Sequence, residues 1–589
     1  MAEAHKIESI LVADCGTVLT KLSLVERVAN SYRFVAQANS QTTATEPWND
    51  LSIGVIKAVQ ELEAITGRHL YSRGRIVVPR RGLEGVDAFV VISSAVAPLR
   101  VVLAGLVREM SLESGRRAAT GTYATIESTL SRESNGREEE QVRSPQEVWA
   151  RTVRDLNPDV VLLVGGVDGG ARRPVLELAE AVALGASMLG EEQRPAVLYA
   201  GNADLRPYVT KLLGDITHVV IADNVHPTTD TEHLGPTQLA LEEFYIEERM
   251  QRAPGIDVLS DWSRLPFVPV ATAFSRVVDF LWHREGNRDR GALGVDVGAA
   301  TTTMAVTFSG RPYVTVYEHG VANGITDWVE KHGLARMARW IPEELEPEAL
   351  EAMIHNLELQ RYTVPQTTRE LWVQLAIVRE MLRSVRRSAQ PTWDVGDASM
   401  GHLTLMPRID PILISGGGLV HTPRPGQALL TVLDGLEPVG ISTVLLDVNR
   451  AATAVGAIAG IKPLLAASAL EAGSLVSLGT VICPVGKGRP GDVTMRIRIL
   501  YGNGGELNVE AHYGEIETWP LLVGERATLE IRPTRRFDIG MGPGEGGKVE
   551  VLGGLLGLVV DARGRPLLLP ENEDARRRLL TRWLWDVGG

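Results

Sequence analysis

The sequence predicts a duplicated α/β protein with a β-rich region towards its C-terminal end. Three observations carry that expectation: an echo between residues 11–24 and 293–306, an alternation of strand and helix patterns in both halves, and a change of texture near residue 474. In the echo, Asp14 falls on Asp296, Gly16 on Gly298, Thr20 on Thr302 and Lys21 on Thr303. Apolar residues lead into each copy and alternation leads out, as for a strand, a tight turn and a second strand.

The echo extends beyond its motif. Runs at 8–14, 18–26 and 32–38 read as a three-strand meander broken at Gly16 and around Asn30–Ser31. The same triplet returns at 292–297, 301–308 and 312–318, so a whole supersecondary unit is repeated. After the first meander, residues 46–66 have helical spacing (Ile53, Ile56, Val59, Leu62, Ile65), with a cap expected at Thr45-Glu46-Pro47. Residues 88–107 reach the ~20 residues that cross a bilayer, yet Pro98 and Arg100 sit at their centre. A buried strand, a serine-rich turn and a buried helix are expected there, without a membrane span.

The polar stretch 131–146 reads as an exposed loop. Val160–Val164, a helix over 173–189, Ala196–Ala200, a helix over 203–213 and His218–Ala222 follow the βαβ pattern of a parallel sheet. Residues 233–283 look helical and Arg284–Gly291 is a charged connector. In the second half, helices over 344–358 and 367–387 precede the strand Pro411–Ser415, a Gly416-Gly417-Gly418 turn, a helix near 426–435, a strand at 441–447 and the small-residue helix Ala451–Ile461. From residue 474, short alternating runs between glycine turns predict a separate β-sandwich or barrel.

Composition narrows the function classes. A chain of 589 residues implies about three or four domains at ~150 residues each. With 60 Lys+Arg against 73 Asp+Glu, a net charge of −13, it lacks the basic footprint of a nucleic-acid or anionic-membrane binder. Cys15 and Cys483 are the only cysteines, and no Cys/His cluster has metal-ligand spacing. Together with an N-terminus lacking a long apolar core, this fits a cytoplasmic protein.

The chemistry is expected at the repeated hairpins. A strand ending in Asp, then Gly-Thr, then a second strand can aim backbone amides and a hydroxyl at phosphate oxygens. Gly16 and Gly298 allow close approach, Thr17, Thr20, Thr301 and Thr302 offer hydroxyls, and Lys21 can reach a terminal phosphate. Asp14 and Asp296 repel an anion directly, so their sensible role is to hold Mg²⁺. Two such hairpins across a cleft supply the charge neutralisation from several sides that phosphoryl chemistry needs. The Gly416, Gly417 and Gly418 turn permits close approach of a nucleobase or ribose, and Gly165-Gly166-Val167-Asp168-Gly169-Gly170 looks like its counterpart in the first half. The scattered histidines, Ser93-Ser94 outside any Gly-x-Ser-x-Gly elbow, and the Arg576-Arg577-Arg578 tail read as ordinary structural features.

These hairpins and the glycine turn resemble the actin, sugar kinase and heat-shock chaperone superfamily: a first phosphate motif at Asp14–Lys21, a second at Asp296–Thr303 and an adenosine motif at Ser415–Leu419. Within it the chain is similar to the MutL/GlmL family associated with glutamate mutase, which is unrelated to the mismatch-repair protein of similar name. The likeness rests on Val-Ala-Asp-Cys-Gly-Thr (12–17), Ser-Ser-Ala (93–95) with Leu99-Arg100, Leu-Leu-Val-Gly-Gly-Val-Asp-Gly-Gly (162–170), Tyr-Ala-Gly-Asn (199–202) and the second hairpin. It covers roughly residues 8–465.

The resemblance implies a duplicated actin-like (ribonuclease H-like) two-lobed ATPase: lobes at 1–232 and 291–465, a helical connector at 233–290, the β-domain at 474–570 and a tail helix at 571–589. It implies ATP or ADP with Mg²⁺, and reactivation of an adenosylcobalamin-dependent mutase by ATP-driven release of damaged cobalamin. Asp14 and Asp296 would organise Mg²⁺ and water; Gly16, Thr17, Lys21, Gly298, Thr301 and Thr302 would hold phosphates; Gly416–Gly418 would face adenosine. The family's second hairpin usually reads Gly-Gly-Ala-Thr-Thr-Asp, whereas Ala299 replaces a glycine here and Thr303 the final Asp, departures that bear on hydrolysis more than on binding. A small-molecule kinase and an actin-like filament or scaffold protein are the alternatives on the same fold.

Overall fold

The computed structural model describes residues 7–131, 144–263, 265–286, 288–390, 393 and 405–589; the 131–146 loop expectation lies, apart from its ends, outside them. Two compact units emerge, one built from residues 1–92 with 259–589 and the other from 93–258.

The first unit begins with the meander β1 (Ser9–Cys15), β2 (Leu19–Val28) and β3 (Ser31–Gln41). Every residue of β1 is buried, as expected of a central strand apolar on both faces. Helix α1 (Leu51–Thr66) starts later than the sequence suggests: the Asp50 carboxylate accepts the Ser52 amide at 2.8 Å, so Asp50, not Thr45, is the cap. With β4 (Ala88–Ser93), the strand beside β1, the chain leaves this unit.

The second unit is a parallel α/β sheet. Its elements are β5 (Leu99–Ala104), α2 (Glu113–Thr120), β6 (Ala124–Leu130), α3 (Pro145–Leu156), β7 (Val160–Leu163), α4 (Arg173–Ser187), β8 (Ala196–Tyr199), α5 (Arg206–Leu213), β9 (Val219–Ile221) and α6 (Gly235–Phe244). The sheet order is β9-β8-β7-β5-β6, all neighbours parallel. The helix expected after Pro98 is a strand instead. Val101, Val102 and Leu103 are buried on both faces by pairing with β6 and β7, and β-branched residues suit that pleat better than a helix.

The first unit resumes at residue 259; β10 (Val268–Pro269) closes the first sheet as β10-β4-β1-β2-β3, and the chain continues into α7 (Val270–Glu285). The second meander follows as β11 (Gly291–Val297), β12 (Thr302–Phe308) and β13 (Arg311–Tyr317), then helices α8 (Pro347–Leu359) and α9 (Thr368–Ala389). Strand β14 (Ile409–Ser415), α10 (Pro425–Leu436), β15 (Gly440–Leu446) and α11 (Ala452–Ala459) complete the second copy. Both β14 and β15 run parallel to β11, giving the antiparallel 3-2-1 and parallel 4-5 arrangement that a ribonuclease H-like half requires.

The C-terminal strands do not close on themselves. β16 (Val476–Cys483), β19 (Ile516–Trp519) and β22 (Leu558–Asp561) extend the second sheet to eight strands, ordered β13-β12-β11-β14-β15-β16-β22-β19. The four-stranded sheet of β17 (Val493–Tyr501), β18 (Glu506–His512), β20 (Arg526–Pro533) and β21 (Gly547–Leu552) shares a core with that extension through Ile482, Ile497, Leu529 and Val560. Fully buried ion pairs bind this region inward: Arg563 to Asp434 of α10 at 2.8 Å and to Asp561 at 2.8 Å, and Arg565 to Asp561 at 2.6 Å. The chain closes with α12 (Glu573–Asp586).

Between the two sheets of this unit lie α7 and α11. Their core takes Ile10, Val12 and Val90 from the first sheet and Ala305 and Leu413 from the second, with Phe274 and Val278 of α7 and Val455 and Ile458 of α11. The helices cross so closely that a Cβ on Gly456 would run into the Ala273 carbonyl. Gly456→Ala is therefore expected to cost about 2–3 kcal/mol through overpacking, despite the ~1 kcal/mol that alanine gains over glycine in a helix. Urea midpoints of the two proteins check it, and equal stability would mean the crossing relaxes freely.

Candidate functional site

The two hairpins match residue for residue. In the first, Asp14 pairs across the ladder with Lys21, and the Gly16 amide donates to the Leu19 carbonyl at 3.0 Å. In the second, Asp296 pairs with Thr303, and the Gly298 amide donates to Thr301 at 2.9 Å. Thr17 and Thr301 sit partly exposed at the tips. The acid at each strand end is thus held at the root of an identical turn.

Lys21 Nζ lies 2.7 Å from Asp14 Oδ2, and the Thr453 hydroxyl of α11 donates to the same oxygen at 3.1 Å. Asp296 pairs in the parallel ladder with Ser415 at the end of β14. The Ser415 hydroxyl donates to Asp447 Oδ2 at 3.0 Å, and Asp447 in turn accepts the Ala451 and Ala452 amides at 2.8 and 2.9 Å, capping α11. Burial pushes Asp296 up to about 6; the Lys21 ammonium opposes that, while the neighbouring Asp14 and Asp447 carboxylates add to it. Asp447 is also raised by burial, against its backbone and Ser415 hydrogen bonds and Lys21. Three carboxylates accordingly share one ammonium.

Of the sequence-predicted residues, Asp14, Lys21 and Asp296 come together. Thr20 and Thr302 follow the strand alternation to the opposite face. Thr20 is fully buried with its hydroxyl beside Gly54, and Thr302 donates to the His319 carbonyl at 2.9 Å. The Gly416 turn reaches the site through its strand, but its glycines serve different ends. Gly416 has φ 97°, and a Cβ there would strike the Val297 backbone; one on Gly418 would meet Val378 at 2.9 Å. Gly417 has open space, with the His421 ring at 3.7 Å as the nearest contact. The expected pairing of this turn with Gly165–Gly170 does not hold: the strand beside β1, as β14 is beside β11, is β4, and the 165–170 turn belongs to the other unit.

Asp447, Ser415 and Thr453 complete the site, and of these Asp447 and Thr453 escaped the sequence reading. Their signal was an Asp between an apolar strand and a run of small residues, Asp447-Val-Asn-Arg-Ala-Ala-Thr453, the signature of a capped helix. The donor set suits a divalent cation such as Mg²⁺: hard carboxylate oxygens in excess of the available positive charge.

A pair of ribonuclease H-like sheets flanking a crossed helix pair, with matching acid-bearing hairpins, defines an actin-like two-lobed α/β protein. The chain belongs to the MutL family, whose model ("MutL protein") matches residues 10–473. Protein MutL of Clostridium tetanomorphum is 24% identical over 313 residues, which is 52% of this chain and 59% of that protein, so the match spans less than two thirds of its relative. Similar solved structures include nucleotide-free acetone carboxylase (11% identity, 86% of this chain and 81% of that one, TM-score 0.33). The ethanolamine utilization protein EutJ of Carboxydothermus hydrogenoformans is another (12%, 76% and 87%, TM-score 0.27), as is xylulose kinase of Bifidobacterium adolescentis (12%, 80% and 96%, TM-score 0.28).

The raised Asp296 sets a pH dependence. The folded protein holds this proton more tightly than the unfolded chain, so ionising Asp296 opposes folding increasingly as the pH climbs from about 4 towards 6, by up to ~3 kcal/mol. Asp296→Asn is expected to be more stable than the parent in urea at pH 7.5, with the advantage shrinking as the pH falls towards 4. A difference that does not vary with pH would show that Asp296 titrates normally.

Proposed function

We propose that the chain is a slow, nucleotide-driven ATPase that reactivates an adenosylcobalamin-dependent mutase. The observation that carries the nucleotide assignment is the meeting of Asp14, Lys21 and Asp296 from two equivalent hairpins with Asp447. The mutase assignment rests on membership of the MutL family together with the resemblance in the motifs.

Under this reading, Lys21 leaves Asp14 to contact a terminal phosphate, and Thr17 and Thr301 at the tips, with the close approach that Gly16 and Gly298 allow, take further phosphate oxygens. Asp14, Asp296 and Asp447 would hold Mg²⁺, which supplies charge neutralisation on the phosphates. Gly417 is the member of the glycine turn with room for a nucleoside. Asp447 links the site to movement, because its carboxylate caps α11, which crosses α7 at Gly456 between the two sheets. A change in the charge that Asp447 faces therefore acts on the helix pair that separates the lobes. Both cysteines are buried and outside any disulfide, and burial raises Cys483 to about 12, in keeping with a cytoplasmic protein. Among the described residues no helix is long and apolar enough to cross a membrane.

Charge-assisted contacts contribute about 1.5–3 kcal/mol. Lys21→Ala is thus expected to weaken ATP binding roughly ten- to hundredfold in calorimetry while keeping its helical signal in circular dichroism; unaltered affinity removes Lys21 from the site. For the partner, the purified chain with ATP and Mg²⁺ should restore turnover to a mutase inactivated by loss of its adenosyl group. Failure with every cobalamin mutase encoded beside the gene would sink that assignment and leave the nucleotide site untouched.

A further inference from the structure

The 93–258 unit has the architecture of a ligand-binding domain in its own right. Its strand order, β6-β5-β7-β8-β9, is 2-1-3-4-5 in chain order: from β5 the chain builds β6 on one side and then crosses to β7 on the other. In such doubly wound sheets the crevice beyond the carboxyl ends, where the order reverses, is where ligands bind. Here that point lies between β5 and β7, and the loop leaving β7 is the glycine turn.

The turn is held open by side chains. Gly165, Gly166 and Gly169 have φ of 135°, 71° and 73°, and a Cβ on Gly169 would meet nothing within 4 Å. The Asn202 Oδ1 accepts the Gly169 amide at 3.2 Å and the Asp204 amide at 3.0 Å, which fixes the carboxamide against the turn. The Asp168 carboxylate accepts the Ala203 amide at 2.8 Å and Asn224 Nδ2 at 2.9 Å. Asn224 also donates to the Gly166 carbonyl and accepts the His226 backbone amide, while the His226 ring contacts the Ser114 hydroxyl at 3.1 Å.

One polar atom against the turn has no partner among the described residues: Asn202 Nδ2, on a residue 0% exposed. A buried donor without an acceptor is costly and calls for an explanation. The amides of Gly165, Gly166 and Val167 likewise donate to nothing among the described residues. The turn runs into α4, whose N-terminus has no side-chain cap and no acid in its first turn, but carries Arg172 and Arg173. Arginines are the wrong charge for a helix N-terminus unless an anion sits there. Arg172 lies over the Tyr208 ring at 5.5 Å, and Arg173 pairs with Glu177 at 3.0 Å.

The geometry points to a second ligand site at the carboxyl edge of β7 and β8, which takes the phosphate group of a small molecule on the 165–170 turn, the Asn202 amide and the start of α4. This site is independent of the Asp14 and Lys21 assignment. Its test uses the full chain titrated calorimetrically with inorganic phosphate and with adenosine monophosphate. Asn202→Asp keeps the two accepted bonds but turns the free donor into a negatively charged acceptor, and R172A/R173A alters only surface groups. Each is expected to lower the affinity of one phosphate site by at least tenfold, while Lys21→Ala leaves that site intact. Preference for the monophosphate over phosphate identifies the ligand as an ester, and the reverse as the free ion. Undiminished binding in both variants overturns the proposal, as does a crystal grown in phosphate that shows only water on Asn202 Nδ2.

Discussion

Three carboxylates around one ammonium set the terms for the first unit. Asp14, Asp296 and Asp447 come from three strand ends, and Lys21 is the shared counter-charge. Like charges at this spacing are tolerated only because each acid is tied to something else: Asp14 to Lys21 and Thr453, Asp447 to Ser415 and the first amides of α11. Burial raises the proton affinity of Asp296, and the Asp14 and Asp447 charges add to it against Lys21 and Ser415. A cation or a change of protonation relieves the repulsion among these acids.

The fold delivers these acids through duplication. Each meander ends its first strand in the same Asp and turns through the same Gly-to-fourth-residue hydrogen bond, so two distant segments meet with equal reach. The separation between them is set by α7 and α11, and by the absence of a side chain at Gly456. Because Thr453 and the amides capped by Asp447 both belong to α11, the helix that spaces the sheets is also in the polar network. Packing and electrostatics cannot change independently here.

Much of this was legible in the chain. Repetition made the meanders and Asp14, Lys21 and Asp296 visible, since a repeated unit carries its register with it. What was hidden followed from tertiary context. Leu99–Ala104 is apolar without a diagnostic period, and only pairing on both sides makes it a strand. The glycine turn at 165–170 looked like a partner of 416–418 because both follow apolar strands; sheet order, which no local pattern encodes, places them in different units. Thr20 and Thr302 matched in alignment as well as the acids did, yet alternation turns both away from the Lys21 face. The alternating C-terminal runs marked strands, while their joining of the second sheet in place of a separate sandwich or barrel depended on β16 and β22 finding its open edge.

The asymmetry of the hairpins follows from the same charge balance. Lys21 and Thr303 occupy equivalent ladder positions, opposite Asp14 and Asp296. An acid at 303, as the resemblance would have it, would put a fourth carboxylate beside a site that has one ammonium. Its charge would raise Asp296 further and make the empty state harder to hold without a metal ion. Thr303 is neutral and only 5% exposed, so it lowers the repulsion where water cannot screen it. Thr303 thereby leaves the cluster at three acids around one ammonium.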